Sequence, residues 1–347
     1  MVLAKLKAPF PWFGGKRKVA AAIWQRFGSV KNYVEPFFGS GAALLGRPTP
    51  FDGNETINDL DGYVANFWRA IKHAPEDVAE HADNPVNEND LHARHVWLVQ
   101  RRETLRASLE GDPDFFDARI AGYWAWGLAC WIGSGFCSGN GPWWVNEDRN
   151  LVHLGPGRGV KRQLVHLKDG GQGVDRKRVH LRNGQGVNRK LVHLGNNGQG
   201  EQQSRLVPWF RALAERLRRV RVCSGDWSRV CGPTATFKHG LTGVFLDPPY
   251  ADTANRDSDL YRIDSESVAH AVREWAIKNG ENKLLRIALC GYEGEHEMPG
   301  NWSVYKWAAS GGYGMQAKQR SGNAKRERIW FSPACLPDGQ ADLFGAK

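Results

Sequence analysis

Short apolar runs alternate with amphipathic stretches along most of the chain. Asn32-Tyr33-Val34-Glu35, Thr56-Ile57-Asn58, Val220-Arg221-Val222-Cys223, Gly243-Val244-Phe245-Leu246 and Leu284 to Cys290 each end in polar or turn residues. Their length and flanks predict strands. Between them apolar positions recur at helical spacing. Phe210, Leu213 and Leu217 share one face behind Pro208, a residue suited to a helix start, and Val268, Ala271, Val272 and Trp275 share another. Strand followed by helix, repeated, predicts an α/β fold with a doubly wound parallel sheet and ligands at the carboxyl ends of its strands. The apolar stretch from Ile120 to Ile132 is short for a membrane span and reads as a buried core helix.

With 347 residues and 41% hydrophobic content, the chain exceeds one typical domain and can bury a large core. Two domains, or one carrying a large insertion, are expected. Met1 to Lys7 lacks the apolar region of a signal peptide, so a cytoplasmic protein is expected. The six cysteines form no Cys-x-x-Cys pair and show no zinc-like spacing with histidine, so neither a disulfide framework nor a metal site is signalled.

Charge changes the picture through its placement. Residues 149–200 hold eleven Lys or Arg against Asp169 and Asp175, so +9 of the total +10 sits in 52 residues. A field so localised attracts a polyanion, because each cation placed on a phosphate releases condensed counterions. Arg158, Lys161, Arg162, Arg176, Lys177, Arg178, Arg189 and Lys190 are the expected contacts to double-stranded DNA. The same stretch is an internal repeat. Leu151-Val152-His153-Leu154 recurs as Leu164 to Leu167, Arg178 to Leu181 and Leu191 to Leu194, every 13 or 14 residues, with glycine turns between. Each unit predicts a short strand and a tight turn, and repetition predicts stacking. His153, His166, His180 and His193 would then stand in a row. No carboxylate or cysteine accompanies them, so polar contact to DNA is preferred over metal.

Candidate chemistry lies at the predicted strand ends. Glu35-Pro36-Phe37-Phe38-Gly39-Ser40-Gly41 follows the first strand, and its glycines let backbone pass close to a ligand before a helix. Asn58-Asp59 stands 18 residues beyond Gly41, where a doubly wound fold puts a carboxylate on ribose hydroxyls. Gly-x-Gly-x-x-Gly is absent, so a nucleoside cofactor is indicated and a dinucleotide is not. The fourth strand ends in Asp247-Pro248-Pro249-Tyr250. Two prolines fix the backbone so that the Asp247 carboxylate and the Pro248 carbonyl can accept from one planar NH₂ group, while Tyr250 offers a stacking face. That is a clamp for an aromatic amine.

These motifs make the chain similar to the Dam-like (D12 class) DNA adenine N6-methyltransferases, particularly phage-borne members. The matching segments are Phe10-Pro11-Trp12-Phe13-Gly14-Gly15-Lys16, Glu35 to Gly41, Asn58-Asp59, Ser224-Gly225-Asp226-Trp227 and Asp247 to Tyr250. Ile287 to Tyr292 and Arg326 to Phe331 continue the resemblance. It implies a Rossmann-like catalytic domain over residues 1–74 and 206–332, binding S-adenosylmethionine in a bacterial or phage-infected cell, at the nucleoid. Trp12, Phe13, Gly14 and Lys16 would lie by the methionine part of the cofactor, Glu35, Pro36, Phe38, Gly39, Ser40 and Gly41 near its sulfonium end, Asp59 at the ribose, and Asp226 with Trp227 at the adenine. An inserted target recognition domain would span 75–205, with Asn140 in a turn that meets DNA.

The implied reaction needs an extruded adenine stacked on Tyr250, with Asp247 and the Pro248 carbonyl stabilising the charge that develops at N6. No cysteine is expected at a position to form a covalent intermediate. A cytosine-N4 methyltransferase would use the same clamp, usually with Ser where Asp247 stands. A non-catalytic DNA-binding or masking protein on the same fold is the alternative from another class. Residues 333–347 form an expected flexible tail, in which Gln340-Ala341-Asp342-Leu343-Phe344 resembles the peptide that docks proteins on the bacterial sliding clamp, through Gln340, Leu343 and Phe344.

Overall fold

The structure is a computed structural model, and it describes residues 6–10, 12, 15–131, 136–137, 143–145, 151–153, 203–250, 265–308 and 326–338. Phe13, Gly14, Asn140, the eight basic residues assigned to DNA, and Gln340, Leu343 and Phe344 lie outside the described residues.

The first α/β unit runs α1 (Ala20–Phe27), β1 (Asn32–Glu35), α2 (Ala42–Leu45), β2 (Asn54–Asp59) and α3 (Gly62–His73). Asp61 starts α3 by accepting the Tyr63 N–H at 2.9 Å. Three helices follow: α4 (Pro75–Ala82), α5 (Glu88–Gly111) and α6 (Ala118–Cys130). Each has its own start signal. Pro75 opens α4 with Glu76 and Asp77 in its first turn, Asn87 caps α5, and Asp117 caps α6 through the Ile120 N–H. The hairpin β3 (Trp143–Val145) and β4 (Leu151–His153) comes next, then α7 (Gln203–Leu217), β5 (Val220–Ser224), β6 (Thr242–Leu246), α8 (Ser265–Asn279), β7 (Leu285–Tyr292), β8 (Ser303–Lys306) and β9 (Glu327–Phe331).

Seven strands form one sheet in the order β5-β2-β1-β6-β7-β9-β8. The five strands expected from apolar runs are the five parallel ones. An antiparallel pair, β9 and β8, extends the sheet beyond β7. Alternation along the strands divides the core. Tyr33, Phe245, Ala288, Cys290, Ile329 and Phe331 point to the face covered by α1, α3 and α7. Val34, Val244, Leu246, Ile287, Leu289 and Trp330 point to the other, where α8 brings Val272 and Ala276.

Several expectations need correction. Pro208 lies inside α7, because buried Leu206 carries the apolar face of Phe210, Leu213 and Leu217 back by one turn. Ala271 is exposed, and Ala269 and Ala276 take its place on the buried face of α8. The chain also leaves the fold later than Ser332. Cys335 is buried with its thiol on the Ile287 carbonyl at 3.4 Å, and the Leu336 N–H donates to the Arg26 carbonyl.

The expected boundary between residues 74 and 75 falls between α3 and α4, and both pack into the same core. α4 lies against α6 and α7, α6 lies against α3, and Trp124 of α6 meets Phe10 and Phe67. The first repeat copy is a strand, Leu151–His153, paired with Trp143–Val145; the later copies lie outside the described residues. Among the described residues no helix is long and apolar enough to cross a membrane.

Candidate active site

β1 and β6 are adjacent and parallel, and the chain winds outward from them in opposite directions, to β2 and β5 on one side and to β7 on the other. The crevice at a topological switch point opens beyond the carboxyl ends of such strands. The loops after β1, β2, β5 and β6 all reach it.

One side chain ties three of these loops together. The amide of Asn58, 1% exposed, donates from Nδ2 to the Pro36 carbonyl at 3.1 Å and to the Gly225 carbonyl at 2.9 Å. The backbone adds Phe38 N–H to the Asn58 carbonyl and Gly225 N–H to the Asp59 carbonyl. Asp59 continues the pattern, its Oδ2 accepting from Gly39 N–H and its Oδ1 from Asp61 N–H, each at 2.9 Å. Burial, with the like charge of Asp61 adding to it, pushes the Asp59 carboxyl up to about 7 against the pull of those backbone donors.

The glycine loop fits close packing. Gly39 has φ +47° and Gly41 φ +71°, and a Cβ on either would strike the Trp12 indole or the Phe38 ring. Trp68 Nε1 donates to the Gly39 carbonyl at 2.9 Å. Phe38 and Ser40 are buried, and Phe38 packs edge-on against Trp68. Glu35 turns inward too. It is 2% exposed, accepts the Tyr33 hydroxyl at 2.8 Å and the Leu44 N–H, and burial holds its carboxyl well above the usual range. Trp12 is half-buried between Phe10 and Trp124.

Across the crevice Asp226 is exposed and caps the turn beginning at Trp227, accepting the Ser228 N–H at 2.9 Å. Trp227 stacks with Phe37 at 6.3 Å between ring centroids. The residues thus suit a nucleoside cofactor. They offer a loop too crowded for side chains, carboxylates after β2 and β5, and an aromatic pair between them.

Asp247 stands at the end of β6, a central strand buried along its whole length. The proline that follows keeps it extended. Lys16 Nζ lies 2.9 Å from Asp247 Oδ1, and the side chains are 4% and 21% exposed. The Tyr250 hydroxyl lies 3.1 Å from the same oxygen and donates at 2.9 Å to Glu327 Oε2. Glu327 is also 4.0 Å from Lys16 Nζ. Lys16 sits over the Tyr250 ring at 5.2 Å and near Trp307 at 5.7 Å, and Tyr292 meets Tyr250 edge to face. Pro248 is buried and Pro249 half-buried. Burial opposes the charge on Lys16, but Asp247 and Glu327 outweigh it and hold the ammonium above the ordinary lysine range. The Tyr250 hydroxyl is held protonated by burial and by both carboxylates.

The structure therefore brings Lys16, expected by the methionine part of the cofactor, onto Asp247. Sequence reasoning also missed Glu327 and Trp307. A carboxylate among Ile329, Trp330 and Phe331 was the available signal for Glu327, since a strand buried throughout admits a charge only beside a partner. Cys290 also stands near Asp247, where burial and the Asp247 charge push its ionisation far up and keep the thiol neutral.

Comparison with curated proteins returns no match. The family model described as D12 class N6 adenine-specific DNA methyltransferase matches residues 12–111, from Trp12 through the glycine loop and Asp59 to the end of α5. That match, over residues 12–111 of the 347, and the seven-stranded Rossmann-like sheet make the chain similar to the D12 class N6 adenine-specific DNA methyltransferases, a family that takes its methyl group from S-adenosylmethionine.

Proposed function

We propose that methylation takes place at the strand-end cluster of Asp247, Pro248 and Tyr250, on an adenine extruded from double-stranded DNA. The observation that carries this reading is Asp247. It is the most open member of a buried polar cluster, at the end of a central strand and across the switch-point crevice from the loop of Gly39 and Asp59. An amine entering there would donate to the Asp247 carboxylate and to the Pro248 carbonyl, and the base would stack on Tyr250. Both acceptors are fixed before the base arrives, so positive charge developing on the nitrogen meets preorganised dipoles. Extrusion of the base costs a few kcal/mol, offset by these contacts.

S-adenosylmethionine, when bound, supplies an electrophilic methyl group. Asp59 would accept from its ribose hydroxyls and Asp226 from its adenine amine, with Trp227 and Phe37 alongside. Residues 75–205 are read as the insertion that recognises DNA, with the basic repeats of 149–200 tracking phosphates. The peptide Gln340 to Phe344 is read as a docking segment for a bacterial sliding clamp.

The test is incubation of DNA with labelled S-adenosylmethionine followed by nucleoside analysis. Label in N6-methyladenine is expected. Label in N4-methylcytosine would move the chain to the related amine chemistry, and no label at all would leave a DNA-binding protein on a methyltransferase fold.

A further inference from the structure

A second carboxylate, Glu327, stands behind Asp247. It opens β9 opposite Tyr292 of β7 and is 4% exposed. So deep a carboxylate needs charged or donating neighbours. It shares the same two with Asp247. The Tyr250 hydroxyl is 2.9 Å from Glu327 and 3.1 Å from Asp247, while the Lys16 ammonium is 4.0 Å from Glu327 and 2.9 Å from Asp247. Tyr250 has one proton to give, and the shorter contact is to Glu327. Two carboxylates thus share one ammonium and one hydroxyl proton.

On the reading above, which it rests on, we propose that Glu327 is a positioning residue that takes Lys16 and Tyr250 off Asp247, leaving the Asp247 carboxylate for the amine of the target base. Lys16 and Tyr250 both reach Asp247 Oδ1 and between them take up the lone pairs of that oxygen. The ammonium also repels the positive charge that grows on the attacking nitrogen. If Asp247 were its sole counterion, the incoming amine would strand a buried cation. Glu327 gives that cation a second seat within the same cluster. No bond is made or broken at Glu327; a hydrogen-bonded ion pair changes partner.

Glu327→Gln keeps the shape and an acceptor for Tyr250 while removing the charge. The expected result is a kcat lower by on the order of tenfold to a hundredfold, a part of the roughly thousandfold that a full unit charge at about 4 Å would give at a protein-like dielectric, since Glu327 acts only through Lys16 and Tyr250. The KM for DNA and the Kd for S-adenosylmethionine should stay within about twofold of wild type, since neither ligand is placed on Glu327. The charge logic predicts a second outcome. In a Lys16→Met background no ammonium needs a seat, so adding Glu327→Gln should cost less than about twofold. Glu327→Asp, which keeps the charge on a shorter arm, should recover part of the loss, and it serves in place of the glutamine variant should that one unfold. A wild-type kcat in Glu327→Gln would overturn the proposal. So would an equal fold loss in both backgrounds, or weakened cofactor binding, either of which marks a merely structural residue. Wild-type enzyme assayed in parallel separates the two claims: no turnover there sinks the functional reading itself, whereas normal turnover with an unimpaired Glu327→Gln sinks only the role of Glu327.

Discussion

Asp59 Oδ2 accepts the backbone N–H of Gly39 at 2.9 Å, so the carboxylate assigned to the ribose also holds the glycine loop in place. This has a pH consequence. Burial and Asp61 push the Asp59 carboxyl up to about 7, whereas an unfolded aspartate titrates near about 4. A carboxyl that keeps its proton more tightly when folded loses stability as pH rises through that window. Ribose hydroxyls donate to the ionised form, so cofactor binding should tighten as pH rises through about 7. We expect S-adenosylmethionine to raise the Tm more at pH 8 than at pH 6, and Asp59→Asn to remove the difference. An equal increment at both values in the wild type would refute the coupling.

Gly39→Ala should damage the same loop from the other side. The new Cβ would lie 2.3 Å from Trp12 Nε1 at a φ of +47°. Left-handed strain and displacement of an indole wedged between Phe10 and Trp124 together cost about 1–3 kcal/mol. Thermal unfolding should show that loss, and calorimetry should show weakened cofactor binding. Adding Trp12→Ala should recover the steric part and leave the backbone part. Unchanged binding in Gly39→Ala would mean that the loop does not need its present conformation.

How much of this was legible depended on whether a residue announces itself locally. Asn32–Glu35 and Val220–Ser224 were readable because apolar runs of strand length end in polar residues. Asp247 was readable because two prolines and an aromatic follow it. Glu327 was hidden. Its partners, Lys16 and Tyr250, are 311 and 77 residues away in sequence, and only the antiparallel insertion of β9 beside β7 brings them together. Asn58 was seen only as the neighbour of Asp59, since nothing in a sequence shows that one amide will bridge Pro36 and Gly225. Lys16 on Asp247 and Cys290 beside it are likewise properties of long-range packing.

Asp247→Ala should abolish methylation while leaving cofactor and DNA binding largely intact. The carboxylate is the proposed acceptor for the target amine, and the loop of Gly39 and Asp59 makes its own hydrogen bonds without it. Turnover and binding measured on the same preparation decide the matter. Methylation near the wild-type rate would sink the assignment of Asp247 as the acceptor.

Deleting residues 149–200 should weaken binding to DNA of any sequence, because that segment carries +9 of the +10 net charge. Each lost phosphate contact should flatten the slope of log K against log salt by about 0.9. Titration at several salt concentrations reads this directly. An unchanged slope would mean that the charge faces solvent, and a loss confined to one sequence would point to base readout instead.

The segment Gln340-Ala341-Asp342-Leu343-Phe344 follows a stretch that stays on the fold through Leu336, whose N–H holds the Arg26 carbonyl. Two large apolar residues beside a glutamine and an aspartate suit a short peptide docking on another protein. Leu343 and Phe344 would fill an apolar pocket, Gln340 would add directional hydrogen bonds, and ordering so few residues costs little. A bacterial sliding clamp is the proposed partner, and docking there would place the enzyme on newly made DNA behind a replication fork. The competing use of Leu343 and Phe344 is to cover an apolar patch on the enzyme itself. Purified clamp and a peptide of residues 338–347 distinguish the two, with Leu343→Ala plus Phe344→Ala as control. Saturable binding by the peptide and none by the control is the expected result. Equal binding by both, or none from the native peptide at high micromolar concentration, would remove the clamp and leave the pair to the enzyme's own surface.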